Sequence, residues 1–129
     1  MGRISTERFF LAMGATLGFT GVAAGAFAAH ILQSHLPTDM LGIFEVAVRY
    51  QMYHALALLV LSLLVSHSPV PSITWAGGFM STGIVIFSGT LYALSLSGQS
   101  WWGAITPIGG LALLAGWACL IWTAYSIKA

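Results

Sequence analysis

The sequence predicts an all-α integral membrane protein: a four-helix bundle with antiparallel, up-down packing. Three observations carry that expectation. The 129 residues are 58% hydrophobic and 5% charged, with a mean hydropathy of +0.91, whereas soluble domains carry about 25% charged residues. The apolar residues fall into four runs, each close to the roughly 20 residues that cross a roughly 30 Å hydrocarbon core. Short segments rich in Pro, Gly and Ser separate the later runs. Four Lys/Arg and three Asp/Glu cannot supply a polar skin, so the apolar surplus must face lipid. Lipid also dictates the element type, because only helices satisfy every backbone group within one such run. The length fits a single transmembrane domain over residues 1–129. Disorder is excluded by the same composition, and a net charge of +1 leaves no footprint for nucleic acid.

The first run covers about residues 9–32. Arg3, Arg8 and the small-x-small triplet Ala26-Phe27-Ala28 imitate a signal peptide, but the apolar run continues to Leu32, so an uncleaved helix is expected. Along it, Gly14, Gly18, Gly21, Gly25 and Ala28 recur at steps of four, three, four and three. A period of 3.5 keeps them on one seam. Lipid removes the hydrophobic drive between helices, so close approach along small residues must hold the bundle. The second helix is expected over residues 40–66, with the span starting near residue 46, after Pro37-Thr38-Asp39, in which Thr38 or Asp39 is the candidate N-cap. Ser68-Pro69-Val70-Pro71-Ser72 separates it from a third helix at about residues 73–96. Gly98-Gln99-Ser100 opens the last loop. Thr106-Pro107 reads as an N-cap with proline at the first helical position of a fourth helix, residues 107–127. That helix has its own small row: Gly109, Ala112, Gly116, Cys119 and Thr123. Cys119, the single cysteine, reads as a packing residue within it.

Arg3, Arg8 and Lys128 lie at the two ends of the chain, which four crossings place on one side. The positive-inside rule then predicts cytoplasmic termini in a bacterial inner (plasma) membrane, with a mitochondrial inner membrane as the alternative. Trp101 and Trp102 would mark the outer interface, and Trp75 and Trp122 the inner one.

Polar chemistry concentrates at the start of the second helix, in Glu45-Val46-Ala47-Val48-Arg49-Tyr50-Gln51-Met52-Tyr53-His54. Ionisable groups in a membrane helix are expensive and mark candidate sites. Glu45, Arg49, Gln51 and His54 are therefore the candidate binding residues. Glu45 and Arg49 are one turn apart, acid first, the favourable order for an ion pair. Arg49 also reads as a snorkelling residue whose head reaches lipid phosphates. At 100° per residue, Tyr50 and Gln51 share a face with His54, while Glu45 lies about opposite, with Arg49 and Tyr53. A neutral imidazole at His54 has one donor and one acceptor to satisfy. Gln51 and the Ser or Thr side chains of the third helix are the expected partners, in a structural clasp or in ligand or proton transfer. His30, His35, His54 and Asp39 would have to converge to hold a metal, and their spacing does not require it; His67 is in the opposite loop. No metal and no cofactor are expected. GxSxG, P-loop, CxxC, HExxH and CxxCH motifs are absent, so the chain is not expected to be an enzyme.

Four phrases occur together and in order: Gly25-Ala26-Phe27-Ala28-Ala29-His30, Tyr50-Gln51-Met52-Tyr53-His54-Ala55-Leu56-Ala57, Phe87-Ser88-Gly89-Thr90-Leu91-Tyr92 and Thr106-Pro107-Ile108-Gly109-Gly110. With them the chain resembles the YgdD/YwdK family, whose eukaryotic relative is transmembrane protein 256, from about Gly14 to Trp117. Ala28 stands where the family often has glycine. The resemblance implies a small multi-pass membrane protein and supplies no activity, cofactor or catalytic residue. Two functional classes follow from the residues. The first is a structural or accessory membrane protein that packs with itself or a larger membrane complex. The alternative is a small-molecule, lipid or proton-handling protein that uses the polar start of the second helix.

Overall fold

A computed structural model describes residues 5–127. Arg3 and Lys128, two of the residues on which the expected orientation rests, lie outside the described residues. The described chain forms four long helices, α1 (Thr6–His30), α2 (Thr38–His67), α3 (Pro71–Ser97) and α4 (Trp102–Ser126), with a short 3-10 turn, Leu32–Ser34, after α1. Each is long and apolar enough to cross a membrane. The 30 residues of α2 make a rod of about 45 Å, longer than the hydrocarbon core, so its ends reach the headgroups. One end of the molecule carries Ser5, the α2–α3 connection and Ile127. The other carries the α1–α2 and α3–α4 connections.

All four helices start two to five residues earlier than the sequence expectation, and at α2 and α4 the capping differs as well. Helix α2 begins at Thr38 directly after Pro37, which itself takes the N-cap position with φ −56 and ψ 151, and neither Thr38 nor Asp39 caps it. The proline's fixed φ delivers the chain into the helix without a side-chain bond. Helix α4 begins at Trp102, and Pro107 lies inside it. Gly98 ends α3 in the left-handed conformation, φ 72, which glycine adopts without a Cβ clash. Bonds from Trp102 N to Gln99 O and from Gly103 N to Ser100 O then wind the chain into α4 at once. Thr106 is no cap: its hydroxyl bonds Trp102 O at 3.2 Å and the Thr90 hydroxyl at 2.7 Å.

Successive helices run antiparallel. On α1, a Cβ at Gly14 would meet Leu59, one at Gly21 would meet Met52, and one at Gly25 would meet Val48, so α2 numbers fall as α1 numbers rise. Between α3 and α4, Ser72 meets Thr123, Gly83 meets Gly109 and Leu113, and Thr90 meets Thr106. The order of packing is α1 on α2, α2 on α3 and α3 on α4. The backbones of α1 and α4 do not approach each other. The α2–α3 pair is thus the centre, with α1 and α4 leaning on it.

Both small-residue rows face a helix of the same chain. A Cβ on Gly14 would stand 2.8 Å from the Ala55 carbonyl oxygen, and one on Gly109 2.5 Å from the Phe87 backbone nitrogen. Gly18 is the exception in the first row, with open space where its Cβ would be. The apolar core is Phe10, Leu58, Leu61, Ile73, Ala76 and Met80, with Cys119 packed against it. A smaller cluster of Ala28, Leu32 and Phe44 lies toward the loop end. The outer surface remains apolar: Phe19, Leu63, Leu111, Leu114 and Ile121 are all more than 60% exposed, as lipid-facing side chains should be. Trp101 and Trp102 stack with centroids 4.1 Å apart at one end, and Trp75 and Trp122 are exposed near the other.

Candidate functional site

The four candidate residues are on one helix and in three environments. Gln51 and His54 are buried, 5% and 4% exposed, while Glu45 and Arg49 are exposed.

Gln51 is the junction of three helices. Its Nε2 donates to the Leu17 carbonyl at 2.9 Å and to the Thr20 hydroxyl at 2.8 Å, both on α1. Its Oε1 accepts from the Tyr92 hydroxyl of α3 at 2.6 Å. Thr20 in turn donates to the Thr16 carbonyl at 2.8 Å. Both amide protons and the amide oxygen are thereby used. Gly21 lies against this junction: a Cβ there would touch Gln51 Nε2 at 3.4 Å and displace Met52 Sδ, 2.5 Å away. A cavity of about 300 Å³, lined in part by Thr20, Phe44 and Tyr92, opens beside the amide.

His54 turns the other way, which corrects the shared face and the partners expected for it. The Trp117 indole N–H of α4 donates to His54 Nε2 at 3.0 Å. Nε2 is therefore the unprotonated nitrogen, and Nδ1–H donates to the Tyr50 carbonyl at 2.7 Å. Residues 51 and 54 are about 60° apart around a helix, enough for one to meet α1 and α3 while the other meets α4. Tyr50, as expected, is on the His54 side: both line a groove of about 510 Å³ with Phe87, Pro107, Leu113 and Trp117. Trp117 closes the clasp from the lipid side and is 43% exposed. Sequence reasoning missed Trp117 and Tyr92 as partners. The signal was there in outline, since an indole N–H or a phenol in mid-span needs an acceptor.

Glu45 and Arg49 share a face, but among the described residues they form no ion pair. A surface pair of this kind gains little, and each side chain is free to serve another group. They instead flank a notch of about 290 Å³ whose floor is Gly25, Ala28, Ala29 and Val48. Among the described residues no three His, Cys, Asp or Glu converge, so His30, His35, His54 and Asp39 are not brought together. His35 Nδ1 bonds its own helix end, at the Ile31 carbonyl, 2.8 Å away.

Other interior polar groups also join helices, although the buried Ser95 bonds Tyr92 O of its own helix. Ser88 of α3 donates to the Ala47 carbonyl at 2.7 Å, Ser62 of α2 to the Glu7 carbonyl at 2.9 Å, and Ser72 meets Thr123 at 2.6 Å. Among the described residues, the one buried side-chain polar atom without a hydrogen bond is Ser81 Oγ.

Comparison with known proteins agrees with this picture of a small membrane bundle. Residues 24–110 match the family model described as "Protein of unknown function (DUF423)". The UPF0382 inner membrane protein YgdD of Escherichia coli (strain K12) is 38% identical over 123 residues, 95% of this chain and 94% of that protein. The UPF0382 membrane protein YwdK of Bacillus subtilis (strain 168) is 42% identical over 115 residues, 88% of this chain and 94% of that protein. A UPF0382 membrane protein of Staphylococcus epidermidis is 42% identical over 114 residues, 88% of this chain and 93% of that protein. No solved structure matches. The family resemblance of the four sequence phrases and the four-span bundle thus lead to the same place: the chain is a multi-pass membrane protein belonging to the DUF423 family, the UPF0382 membrane proteins, whose function is unknown.

Proposed function

We propose that this protein is a structural or accessory component of a bacterial inner membrane, not an enzyme, and that it packs with itself or with a larger membrane complex. One observation supports this most. The candidate residues deepest in the membrane, Gln51 and His54, engage every side-chain nitrogen and oxygen in hydrogen bonds to neighbouring helices and to α2 itself. A site that turns over a substrate or relays protons needs polar atoms that are free to exchange partners, and these are not. The almost wholly apolar exterior suits a chain whose partners lie in the membrane plane.

A second reading, lipid or small-molecule handling, is favoured by the open groove beside His54. Native mass spectrometry on protein extracted with its surrounding membrane separates the two. The accessory reading expects the chain in a defined homo-oligomer or hetero-complex, with His54→Gln leaving that assembly and its co-purifying molecules unchanged. A monomer carrying a stoichiometric small molecule that His54→Gln releases, without loss of fold, would overturn it in favour of the second reading.

A further inference from the structure

The notch between Glu45 and Arg49 is a membrane-facing feature that the helix junctions do not use. Its two charged groups are on the exterior of α2, and neither has a charged partner among the described residues. The middle of α2 falls between Met52 and Tyr53. The Arg49 backbone is then about 5 Å and the Glu45 backbone about 11 Å from it, toward the loop end. Arg49 is therefore rooted inside the hydrocarbon, where an unpartnered charge is costly. Side chains lean toward the N-terminus of their own helix. For α2 that direction is the loop end, so the guanidinium rises toward the headgroup boundary beside the carboxylate. The notch follows the same direction, along α1 from Gly25 to Ala29. It exists because Gly25, Ala28 and Ala29 put almost no side chain there.

We propose that this notch binds the headgroup of a zwitterionic phospholipid bearing a primary amine, such as a phosphatidylethanolamine, in the leaflet at the loop end. The charge pattern selects that chemistry. A guanidinium forks onto two phosphate oxygens, and a carboxylate one turn away accepts hydrogen bonds from an ammonium. Residues at i and i+4 are about 5–6 Å apart at Cβ, comparable to the phosphate–ammonium separation of phosphoethanolamine. A choline headgroup has a cation but no N–H to give Glu45. A phosphoglycerol headgroup has no cation, and its net negative charge meets the carboxylate unfavourably. The small floor of the notch leaves room for the glycerol. Because the lipid is held on the outside of the bundle, the proposal does not depend on either reading of function.

The test is native mass spectrometry of the purified protein in mild detergent, with equal amounts of dioleoyl phosphatidylethanolamine, phosphatidylcholine and phosphatidylglycerol. The wild type should retain the ethanolamine lipid about threefold to tenfold over each of the others, a difference of up to about 1.4 kcal/mol. Glu45→Gln, whose neutral amide oxygen accepts more weakly than a carboxylate, should lower the ethanolamine-to-choline ratio and raise phosphatidylglycerol retention. Arg49→Gln should lower retention of all three, and Arg49→Lys should restore that retention in part. Glu7→Gln, at the far end of α1, should change no ratio. Equal retention of the three lipids by the wild type, or an unchanged preference in Glu45→Gln, would overturn the proposal. Both residues are exposed, so melting temperatures within a degree or two of wild type are expected.

Discussion

At Gln51 one side chain joins α1, α2 and α3, so its removal should cost more than the removal of any other single polar group in the bundle. Gln51→Met keeps the volume and deletes three hydrogen bonds. At an average of about 0.6 kcal/mol per interhelical bond in membranes, the expected loss is about 2 kcal/mol, read from reversible unfolding in mixed micelles. Retention of wild-type stability would mean that the three bonds contribute nothing net. His54 makes one bond between helices and one within α2. His54→Leu should therefore cost about 0.6–1.7 kcal/mol, and Trp117→Phe about as much, because it removes the other half of the same bond. The double variant should cost little more than either single one, since the two share the interaction. His54→Gln, which keeps a donor and an acceptor, should stay close to wild type. Sequence reasoning could place His54 well inside the span, because depth follows from residue counting. It could not find Trp117, which is 63 positions away, since where α4 sits relative to α2 is set by its packing on α3 and not by any local pattern. The 60° between residues 51 and 54 was computable; that it separates two neighbours was not.

The glycine rows were the most legible feature at the scale of elements, because a period of 3.5 needs only the sequence to be seen. The structure sorts the row into contacts of unequal weight. Gly21→Leu should destabilise, since Gly21 is buried against Met52 and Gln51 and a leucine side chain must displace both. Ala23→Leu points outward from the exposed side of α1 and should be tolerated. Gly18 belongs to the row by spacing but has open space where its Cβ would stand, so Gly18→Ala should be neutral or stabilising, by up to about 1 kcal/mol through helix propensity. Gly109→Ala, opposite Gly83 and the Phe87 backbone, should cost more than Gly18→Ala gains, because backbone atoms cannot step aside as a flexible side chain can. Thermal melting of the four variants in one detergent ranks them, and a destabilised Gly18→Ala would mean that α1 packs more closely than this structure has it. Helix ends were less legible than helix faces. Pro107 fits the first turn of a helix so well that the sequence reading began α4 there, whereas the Gly98–Trp101 turn starts it a turn and a half earlier. Proline tolerates both positions, and the tie is broken by the Thr106–Thr90 bond across the loop end, which no local rule contains.

For the whole molecule, four spans and short connections dictate that alternate ends meet, and they do. What spacing leaves open is which helices are neighbours. Glycine rows on α1 and α4 fit a mutual seam as well as they fit α2 and α3. Only the structure places the α2–α3 pair between them, with α1 and α4 apart. That arrangement fixes the relative direction of every helix and leaves one global unknown, the sense in which the bundle enters the membrane. Arg8 is at the end of the molecule that carries Ser5 and Ile127, and Arg3 and Lys128 are close to those two residues in sequence, while Asp39, Glu45 and a single basic residue, Arg49, lie toward the loop end. Lys and Arg near span ends are retained on the cytoplasmic side, and acidic residues contribute little. The termini are therefore expected inside. The notch gives an independent consequence, because it would then take its lipid from the outer leaflet of that membrane. Single cysteines at positions 2 and 129 in a Cys119→Ser background should be protected from an impermeant maleimide in intact cells and become reactive after permeabilisation. A cysteine at Gln99, in the α3–α4 connection, should show the reverse order and react without permeabilisation. Labelling of either terminus in intact cells, with position 99 protected, would invert the bundle. The helix packing would be untouched by that result, and the proposed lipid contact would move to the inner leaflet.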